Sequence, residues 1–394
     1  MFYTCTPGCT NPAHQHAPAG TATRAAATKK PAARLTRTAA RPSPLPRAGA
    51  LPTRPIARRI RGGAKVVDMH CHYLNPAVSA KIAHLNPGQY DPTTVYADDI
   101  TRQTNVAQMR DRAPRLTGVE VRLKDMDNMG IDIQAVCPAP YHFLYWMEPG
   151  HGAELTREVN HGIAKLAADH PDRFVGMGSV PLQNVELAIK ELEYCVKTLG
   201  FRGIEICTSV NGKNLTDPSL KLEKFFARAA ELGVLIFMHP LGWSPADRLT
   251  HHYFNNVIGN PLESTVAVAH LIFDGVVARH PKLKFVVAHG GAYIAHYWAR
   301  MDHAWHARPD TRTVIKRPPS TYLEKFTFDT ITHDPLMLKR LVERFGADHV
   351  VLGTDYPYDM GDYDPLGTIQ AARLKRADAD LVRGGNAARL LKIK

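Results

Sequence analysis

The amino-acid sequence predicts an α/β protein built as a (β/α)8 TIM barrel, with a small insertion after strand 1 and a disordered basic N-terminal tail. Between residues 66 and 392, short apolar segments alternate eight times with longer segments of helical periodicity. The apolar segments are continuous, as in residues 234–237 and 285–288, which is typical of parallel strands buried on both faces. A doubly wound open sheet is the alternative, but no glycine-rich phosphate loop follows the first strand.

The basic charge of the chain is confined to its N-terminal part. The net charge is +12, and residues 1–65 contain 12 Lys and Arg side chains and no acid. Residues 66–394 therefore carry 37 basic and 37 acidic side chains. Because residues 1–62 are rich in Ala, Thr, Pro and Arg and have no apolar periodicity, we predict a disordered tail there and one globular domain over residues 63–394.

Little in the tail indicates a specific function. An attraction to polyanions is expected from its charge but carries no sequence specificity, so no specific nucleic-acid partner is predicted. Cys5, Cys9, His14 and His16 do not match the spacing of a zinc finger. The six cysteines are dispersed and no run of 18 apolar residues occurs, which predicts reduced thiols, a cytoplasmic location and no membrane span.

The first predicted strand carries two histidines at its end. Residues 66–72 run through apolar β-branched residues into Asp68 and then into His70 and His72. Alternate residues of a strand share a face, so the two imidazoles point the same way and can bind one ion. Cys71 lies between them and faces away, which predicts a packing role.

The remaining elements follow in order, each strand being a short β-branched or aromatic run. Residues 73–115 contain several prolines and little periodicity, so they are predicted to form an active-site loop. The later strands are predicted at residues 131–137, 174–180, 203–208, 234–239, 284–289, 326–330 and 349–355. Helices are predicted at residues 119–129, 152–169, 184–199, 218–232, 261–279 and 334–345, after Gly291 and after Asp364.

Polar residues recur where the predicted strands end. Strand 1 ends in His70 and His72, strand 5 in His239, strand 6 in His289 and strand 8 in Asp355. The carboxyl ends of barrel strands share one rim, where such enzymes have their sites. Imidazoles, a carboxylate and an open position for water suit one divalent cation, with zinc or a similar first-row metal preferred.

The same residues carry a resemblance to a known family. His70-x-His72, His239-Pro, His289-Gly-Gly-Ala, His333-Asp-Pro and Gly353-Thr-Asp-Tyr-Pro357 resemble motifs of the amidohydrolase superfamily. Within it, the chain is similar to the branch that contains the 2-amino-3-carboxymuconate 6-semialdehyde decarboxylases. The resemblance covers about residues 66–392 and leaves out the tail.

The resemblance implies roles for individual residues. It makes His70, His72, His239 and Asp355 the metal ligands, and His289 the residue that activates metal-bound water. It implies that Arg110 binds a substrate carboxylate and that Arg300 is donated across the interface of a homodimer, since Arg grips a carboxylate with two bonds. No lysine ends strand 4 (residues 203–208), which favours one metal ion, predicted to be Zn²⁺, over two.

The pocket departs from the family pattern. Asn256 stands where the family has a substrate-packing Trp, and Tyr358 stands where it has Phe. Trp243 is predicted either to fill the vacated space or to pack elsewhere. Asp329 and Asp334 are candidates for hydrogen bonding to the ligands, with helix capping as the alternative for Asp334.

These features predict a metal-dependent, non-oxidative decarboxylase of an unsaturated or aromatic carboxylic acid. A small-molecule carboxylate is the expected substrate and hydroxide on the metal the expected reactant. A hydrolase or hydratase of the same superfamily is the first alternative, because the same hydroxide serves those reactions. A non-enzymatic protein that binds polyanions through its tail is the second.

Overall fold

A computed structural model describes residues 65–393 of the chain. The tail predicted at residues 1–62 lies outside these residues, and with it Cys5, Cys9, His14 and His16. The alternative function of polyanion binding depends on that tail alone. Among the described residues, no helix has the length and apolar character needed to cross a membrane.

Eight parallel strands form the barrel and confirm the predicted fold. Their order is β1-β2-β3-β4-β7-β8-β9-β10, and a separate hairpin joins β5 to β6. Their bounds are β1 Val67–Tyr73, β2 Ile133–Pro138, β3 Phe174–Gly178, β4 Gly203–Cys207, β5 Ser209–Val210, β6 Lys213–Asn214, β7 Leu235–His239, β8 Lys284–Val287, β9 Phe326–Asp329 and β10 Val350–Val351.

The barrel closes between β1 and the chain that follows β10. The backbone N–H of Met69 donates to the carbonyl of Leu352 at 2.8 Å, and that of Asp355 donates to the carbonyl of His70 at 2.8 Å. Gly353 permits this approach, because a Cβ atom there would lie 2.8 Å from the Cβ of His70. β10 covers only Val350–Val351, so it is shorter than the predicted strand of residues 349–355.

Helices surround the barrel and include those that periodicity predicts, although the helix predicted at residues 218–232 begins at Glu223 and the one predicted at residues 261–279 is divided into two. Their apolar faces pack on the strands, and the buried core includes Phe225, Phe285 and Phe326. The bounds are α1 Pro76–Ile82, α2 Pro92–Val95, α3 Asp99–Thr117, α4 Val119–Met129, α5 Pro149–Asp169, α6 Val185–Lys197, α7 Glu223–Leu232, α8 Asn260–Phe273, α9 Val276–Arg279, α10 Ala292–Tyr297, α11 Ala299–Ala307, α12 Pro319–Leu323, α13 Pro335–Phe345, α14 Pro365–Ala371, α15 Arg376–Asp380 and α16 Asn386–Leu391.

The insertion after β1 is helical, so the prediction of a loop over residues 73–115 was wrong. Asn75, Asp91 and Asp98 cap α1, α2 and α3, and each side chain accepts a hydrogen bond from a backbone N–H of the first turn. Such caps satisfy donors that a helix start leaves unpaired. α3 has few apolar residues, which is why hydrophobic periodicity did not reveal it.

Candidate active site

The two histidines of β1 point into the barrel mouth as predicted. His70 Nε2 and His72 Nε2 lie 3.1 Å apart, and both side chains are buried. Each ring is oriented through its other nitrogen. His70 Nδ1 lies 2.7 Å from Asp329 Oδ2, and His72 Nδ1 lies 3.1 Å from the Pro138 carbonyl oxygen. When the rings are neutral and their Nδ1 atoms donate, the Nε2 atoms can offer their lone pairs to a cation that takes the place of a proton.

The other three predicted residues meet these histidines. His239 is the last residue of β7, and its ring centroid lies 4.8 Å from that of His72. Asp355 Oδ1 lies 3.1 Å from His72 Nε2 and 3.3 Å from His70 Nε2. His289 Nε2 lies 3.7 Å from Asp355 Oδ2. The structure therefore brings all five side chains together at one rim of the barrel.

His289 and Asp355 are held in an unusual backbone conformation. Their φ angles are 57° and 55°, in the left-handed region that non-glycine residues seldom adopt. Such strain persists where the surrounding structure imposes it, and it is concentrated at functional sites. For His289 the support comes from Asp329, whose carboxylate accepts the backbone N–H groups of His289 at 3.0 Å and Gly290 at 2.7 Å.

The electrostatics of the cluster favour a bound cation. Burial opposes a charge on His70, but the carboxylates of Asp355 and Asp329 outweigh it and raise the pKa of His70 to about 10. Burial raises the pKa of Asp355, but His70 and His289 outweigh it and hold that pKa well below its usual range. Burial lowers the pKa of His239 well below its ordinary value, so this imidazole is neutral.

These residues fit a divalent metal ion. Ligand atoms of His70, His239, His289 and Asp355 all lie within 4.8 Å of one another. Both ring nitrogens of the buried His239 lack a hydrogen-bond partner among the described residues, an arrangement that is costly unless something binds there. Neutral imidazoles beside a carboxylate form a typical donor set for zinc and other first-row metals.

A small pocket opens over this cluster, which we call the reaction pocket. Its volume is about 80 Å³, and His239, His289, Asp355, Asn256 and Tyr358 line it. The hydroxyl oxygen of Tyr358 is buried and has no hydrogen-bond partner among the described residues. Two of the five predicted substrate-binding residues therefore lie at the site.

The other three predicted substrate-binding residues lie elsewhere in this chain. Arg110 is exposed on α3, and Arg300 is exposed on α11. Trp243 does not line the reaction pocket but a separate cleft beside Glu263. Its backbone N–H donates to Asn255 Oδ1 at 2.8 Å.

Arg112 lines the reaction pocket and was not singled out from the sequence. Its side chain is 7% exposed, and its Nε has no hydrogen-bond partner among the described residues. Together with Asn105, Gln108 and Met109 it occupies one face of α3 at i, i+3, i+4 and i+7. The sequence contains this helical spacing, but the residues on this face are mostly polar, so apolar periodicity does not reveal it.

Glu205 of β4 is a second residue that sequence reasoning missed. It is fully buried, and neither carboxyl oxygen has a hydrogen-bond partner among the described residues. Its Oε1 lies 3.8 Å from His72 Nδ1, and burial raises its pKa well above the ordinary value. The sequence contains one indication of this residue, because Glu205 is the only acidic residue within the apolar run of residues 203–207.

The two aspartates near β9 have different roles. Asp329 supports His70, as predicted. Asp334 accepts from the backbone N–H groups of Leu336 and Met337 and caps α13, which is the alternative considered for it. Cys71 is buried and packs away from the two histidines, as expected.

The chain is similar in sequence to a known family and to an individual relative. A model of the amidohydrolase family matches residues 67–393. The 2-amino-3-carboxymuconate-6-semialdehyde decarboxylase of Dictyostelium discoideum is 36% identical over 274 residues, which cover 69% of this chain and 76% of that protein.

Two solved structures share the fold. The 5-carboxyvanillate decarboxylase of Sphingomonas paucimobilis superimposes with a TM-score of 0.73 at 24% identity, covering 84% of this chain and 99% of the other. The dihydroxybenzoic acid decarboxylase of Polaromonas sp. JS666, solved with manganese and the inhibitor 2-nitroresorcinol, gives a TM-score of 0.69 at 22% identity, covering 84% and 97%.

Proposed function

The chain belongs to the amidohydrolase family, and from that premise we propose that it is a metal-dependent, non-oxidative decarboxylase of an aromatic or unsaturated carboxylic acid. The observation that carries the proposal is the cluster at the barrel rim, in which His70, His72, His239 and Asp355 are buried and His289 is partly buried. The relatives and structural neighbours named above are decarboxylases, which does not favour the hydrolase or hydratase alternative.

We assign His70, His72, His239 and Asp355 as the residues that hold the metal ion. When bound, a divalent ion would supply Lewis acidity, polarising the substrate oxygen atoms and stabilising negative charge. Zinc is the proposed ion, because three imidazoles and one carboxylate suit it. Manganese in a structural neighbour makes that ion the competing choice, to be decided by metal analysis of the purified protein.

Decarboxylation breaks the bond between the ring or chain carbon and its carboxylate. Carbon dioxide leaves, the electron pair remains on the carbon, and a proton must replace the carboxylate there. We propose that His289 moves that proton, because it lines the reaction pocket and its Nε2 lies 3.7 Å from Asp355 Oδ2. Its backbone N–H donates to Asp329, which holds the residue in its left-handed conformation at the mouth of the pocket.

We propose Arg112 as the cation that binds the substrate carboxylate or a second acidic group. A buried guanidinium whose Nε lacks a partner has donors to offer to a ligand. Tyr358 and Asn256 add a buried hydroxyl and an amide to the same pocket. These polar groups favour a substrate with ring hydroxyl or carbonyl oxygens, because unpaired buried donors select ligands that pair with them.

We propose a homodimer for two reasons, which are the family resemblance and the exposed residues around Arg300. Tyr293 and Tyr297 are 43% and 67% exposed on α10, directly before Arg300 on α11. Exposed aromatic residues beside an arginine are typical of protein interfaces. Sedimentation at several protein concentrations tests this assembly, and Arg300→Ala should lower activity only if the residue reaches the partner's pocket. The cytoplasmic location stays a prediction.

Carbon dioxide release tests the proposed reaction. The full-length protein, loaded separately with zinc and with manganese, should release carbon dioxide from hydroxybenzoates or carboxymuconate semialdehydes. Chelation should abolish release, and the same metal should restore it. Hydrolysis of esters or amides without release from any of these acids would favour the hydrolase.

A further inference from the structure

A second cavity lies beside the reaction pocket and is much larger. Its volume is about 580 Å³, against about 80 Å³ for the reaction pocket on the same measure. We call it the side cavity. The two share five wall residues, which are Asn105, Met109, Pro140, Tyr141 and Leu241. A ligand held at the metal cluster therefore has this cavity as its immediate neighbour.

The wall of the side cavity is largely apolar and aromatic. Phe143, Leu144 and Tyr145 are buried on one side of it. Tyr90 and Trp146 stack on each other with ring centroids 4.4 Å apart and an angle of 6° between the planes. Cavities of this size with aromatic walls are typical of small-molecule sites, where apolar contacts provide most of the affinity.

The ionisable side chains of the wall offer no free charge to a ligand. Burial lowers the pKa of His142 to about 4, so this imidazole is neutral at neutral pH. Its Nε2 lies 3.2 Å from the Ser79 hydroxyl, which itself donates to the Asn75 carbonyl. Asp91 is occupied by hydrogen bonds from Thr93 and from a second threonine.

Two further polar side chains of the wall are also paired within the protein. Arg102 donates to the carbonyl oxygen of Val95 at 3.2 Å and lies 3.6 Å from Asp99. Asn211 Nδ2 donates to the carbonyl oxygen of Tyr145 at 2.7 Å. An occupant thus meets a largely apolar wall in which Asp91, Arg102 and His142 already have partners, so a charged group would lose its own hydration with little compensation.

We propose that the side cavity binds an uncharged apolar substituent of the substrate, so that the preferred substrates are aryl carboxylic acids with an alkyl or aryl side chain. This inference rests on the proposed decarboxylase function and narrows its substrate class. The reaction pocket holds the carboxylate and the adjacent ring atoms, whereas the substituent extends past Met109 and Tyr141. The cavity then contributes affinity in proportion to the apolar area it covers.

Val106 provides a way to fill the cavity without disturbing the fold. It lies on α3, lines the side cavity and is 60% exposed, so a larger side chain can be accommodated at the rim. Ile100 lies on the same helix, is 77% exposed and lines neither pocket. Val106→Trp and Ile100→Trp are therefore matched variants that differ in whether the indole enters the cavity.

Binding of alkylresorcinols tests the cavity without requiring turnover. These are the products expected from 2,6-dihydroxybenzoates alkylated at C3 or C4, with a proton in place of the carboxylate. Calorimetry on the full-length, metal-loaded protein should show affinity rising about fourfold per added methylene from methyl to pentyl in at least one series. Ile100→Trp should keep this gain, and Val106→Trp should reduce the pentyl-to-methyl affinity ratio about tenfold or more.

The same compounds distinguish an incorrect proposal for the side cavity from an incorrect proposal for the decarboxylase function. Flat affinity across both series, or an equal effect of the two Trp variants, would overturn the role of the cavity even where carbon dioxide is released from the parent acids. A chain-length gain that Val106→Trp removes supports the cavity, even where no acid releases carbon dioxide and the decarboxylase proposal fails.

Discussion

Asp329 Oδ2 lies 2.7 Å from His70 Nδ1, and neither side chain reaches solvent. The same oxygen accepts the backbone N–H of His289, while Oδ1 accepts the N–H groups of Gly290 and Ile331. One carboxylate at the end of β9 therefore orients a proposed metal ligand and fixes the backbone of the proposed proton carrier. Such supporting contacts set the tautomer and the position of a ligating imidazole.

Replacing Asp329 with Asn should weaken metal binding. An amide nitrogen cannot accept, so the variant loses either the hydrogen bonds from His70 Nδ1 and the backbone N–H of His289, or those from the backbone N–H groups of Gly290 and Ile331. We expect metal affinity to fall about 10- to 100-fold, measured by competition with a chelator. Asp334→Asn is the control, since Asp334 caps α13 and Asn caps helices equally well. Equal metal affinity in both variants would contradict the role of Asp329.

His289 and His72 should respond differently to replacement by Ala. His289→Ala should retain the metal and lose about 10²- to 10⁴-fold in turnover, because it removes a proton carrier. His72→Ala should lose the metal, because it removes a proposed ligand. Metal content and turnover are measured on the same preparations. Loss of metal from His289→Ala would make His289 a ligand, an arrangement that its place within 4.8 Å of three other donors allows.

Strand periodicity predicted that the four histidines and Asp355 lie at one rim, whereas the position of the arginine proposed to bind substrate depends on a helix that periodicity did not reveal. Each cluster residue lies at or just after the end of an apolar run, and parallel strands bring such ends to one rim. Arg110 and Arg112 lie two residues apart on α3, so their side chains point about 200° apart around the helix axis. A sequence interpreted as a loop cannot show which of the two faces the pocket.

Arg112→Gln should therefore impair catalysis much more than Arg110→Gln. Loss of the buried guanidinium removes the proposed partner of a substrate carboxylate and should lower kcat/KM about 100-fold. Arg110 is exposed on the same helix, so its variant should stay within about twofold of the parent. Steady-state kinetics of carbon dioxide release provide the measurement. A larger loss in Arg110→Gln would restore the assignment that the family resemblance implies.

His142 should make the stability of the protein depend on pH between about 4 and 6.5. Its pKa is lowered by burial to about 4 in the folded chain, whereas an unfolded histidine titrates near 6.5. Below pH 6.5 the unfolded state binds a proton that the folded state does not, so the free energy of unfolding falls as the pH drops towards 4. Above pH 6.5 neither state binds this proton, and the contribution of His142 to the free energy of unfolding is fully present. At pH 5 the loss amounts to about 2 kcal/mol.

His142→Gln removes this titration and keeps an amide N–H for the Ser79 hydroxyl. The difference in unfolding free energy between parent and variant, measured by urea denaturation, should therefore shift by about 2 kcal/mol in favour of the variant between pH 7 and pH 5. The exposed His84, replaced by Gln in the same way, serves as the control. A difference that stays constant with pH would mean that folding leaves the pKa of His142 unchanged, and the side cavity would then gain a charge as the pH falls below about 6.5.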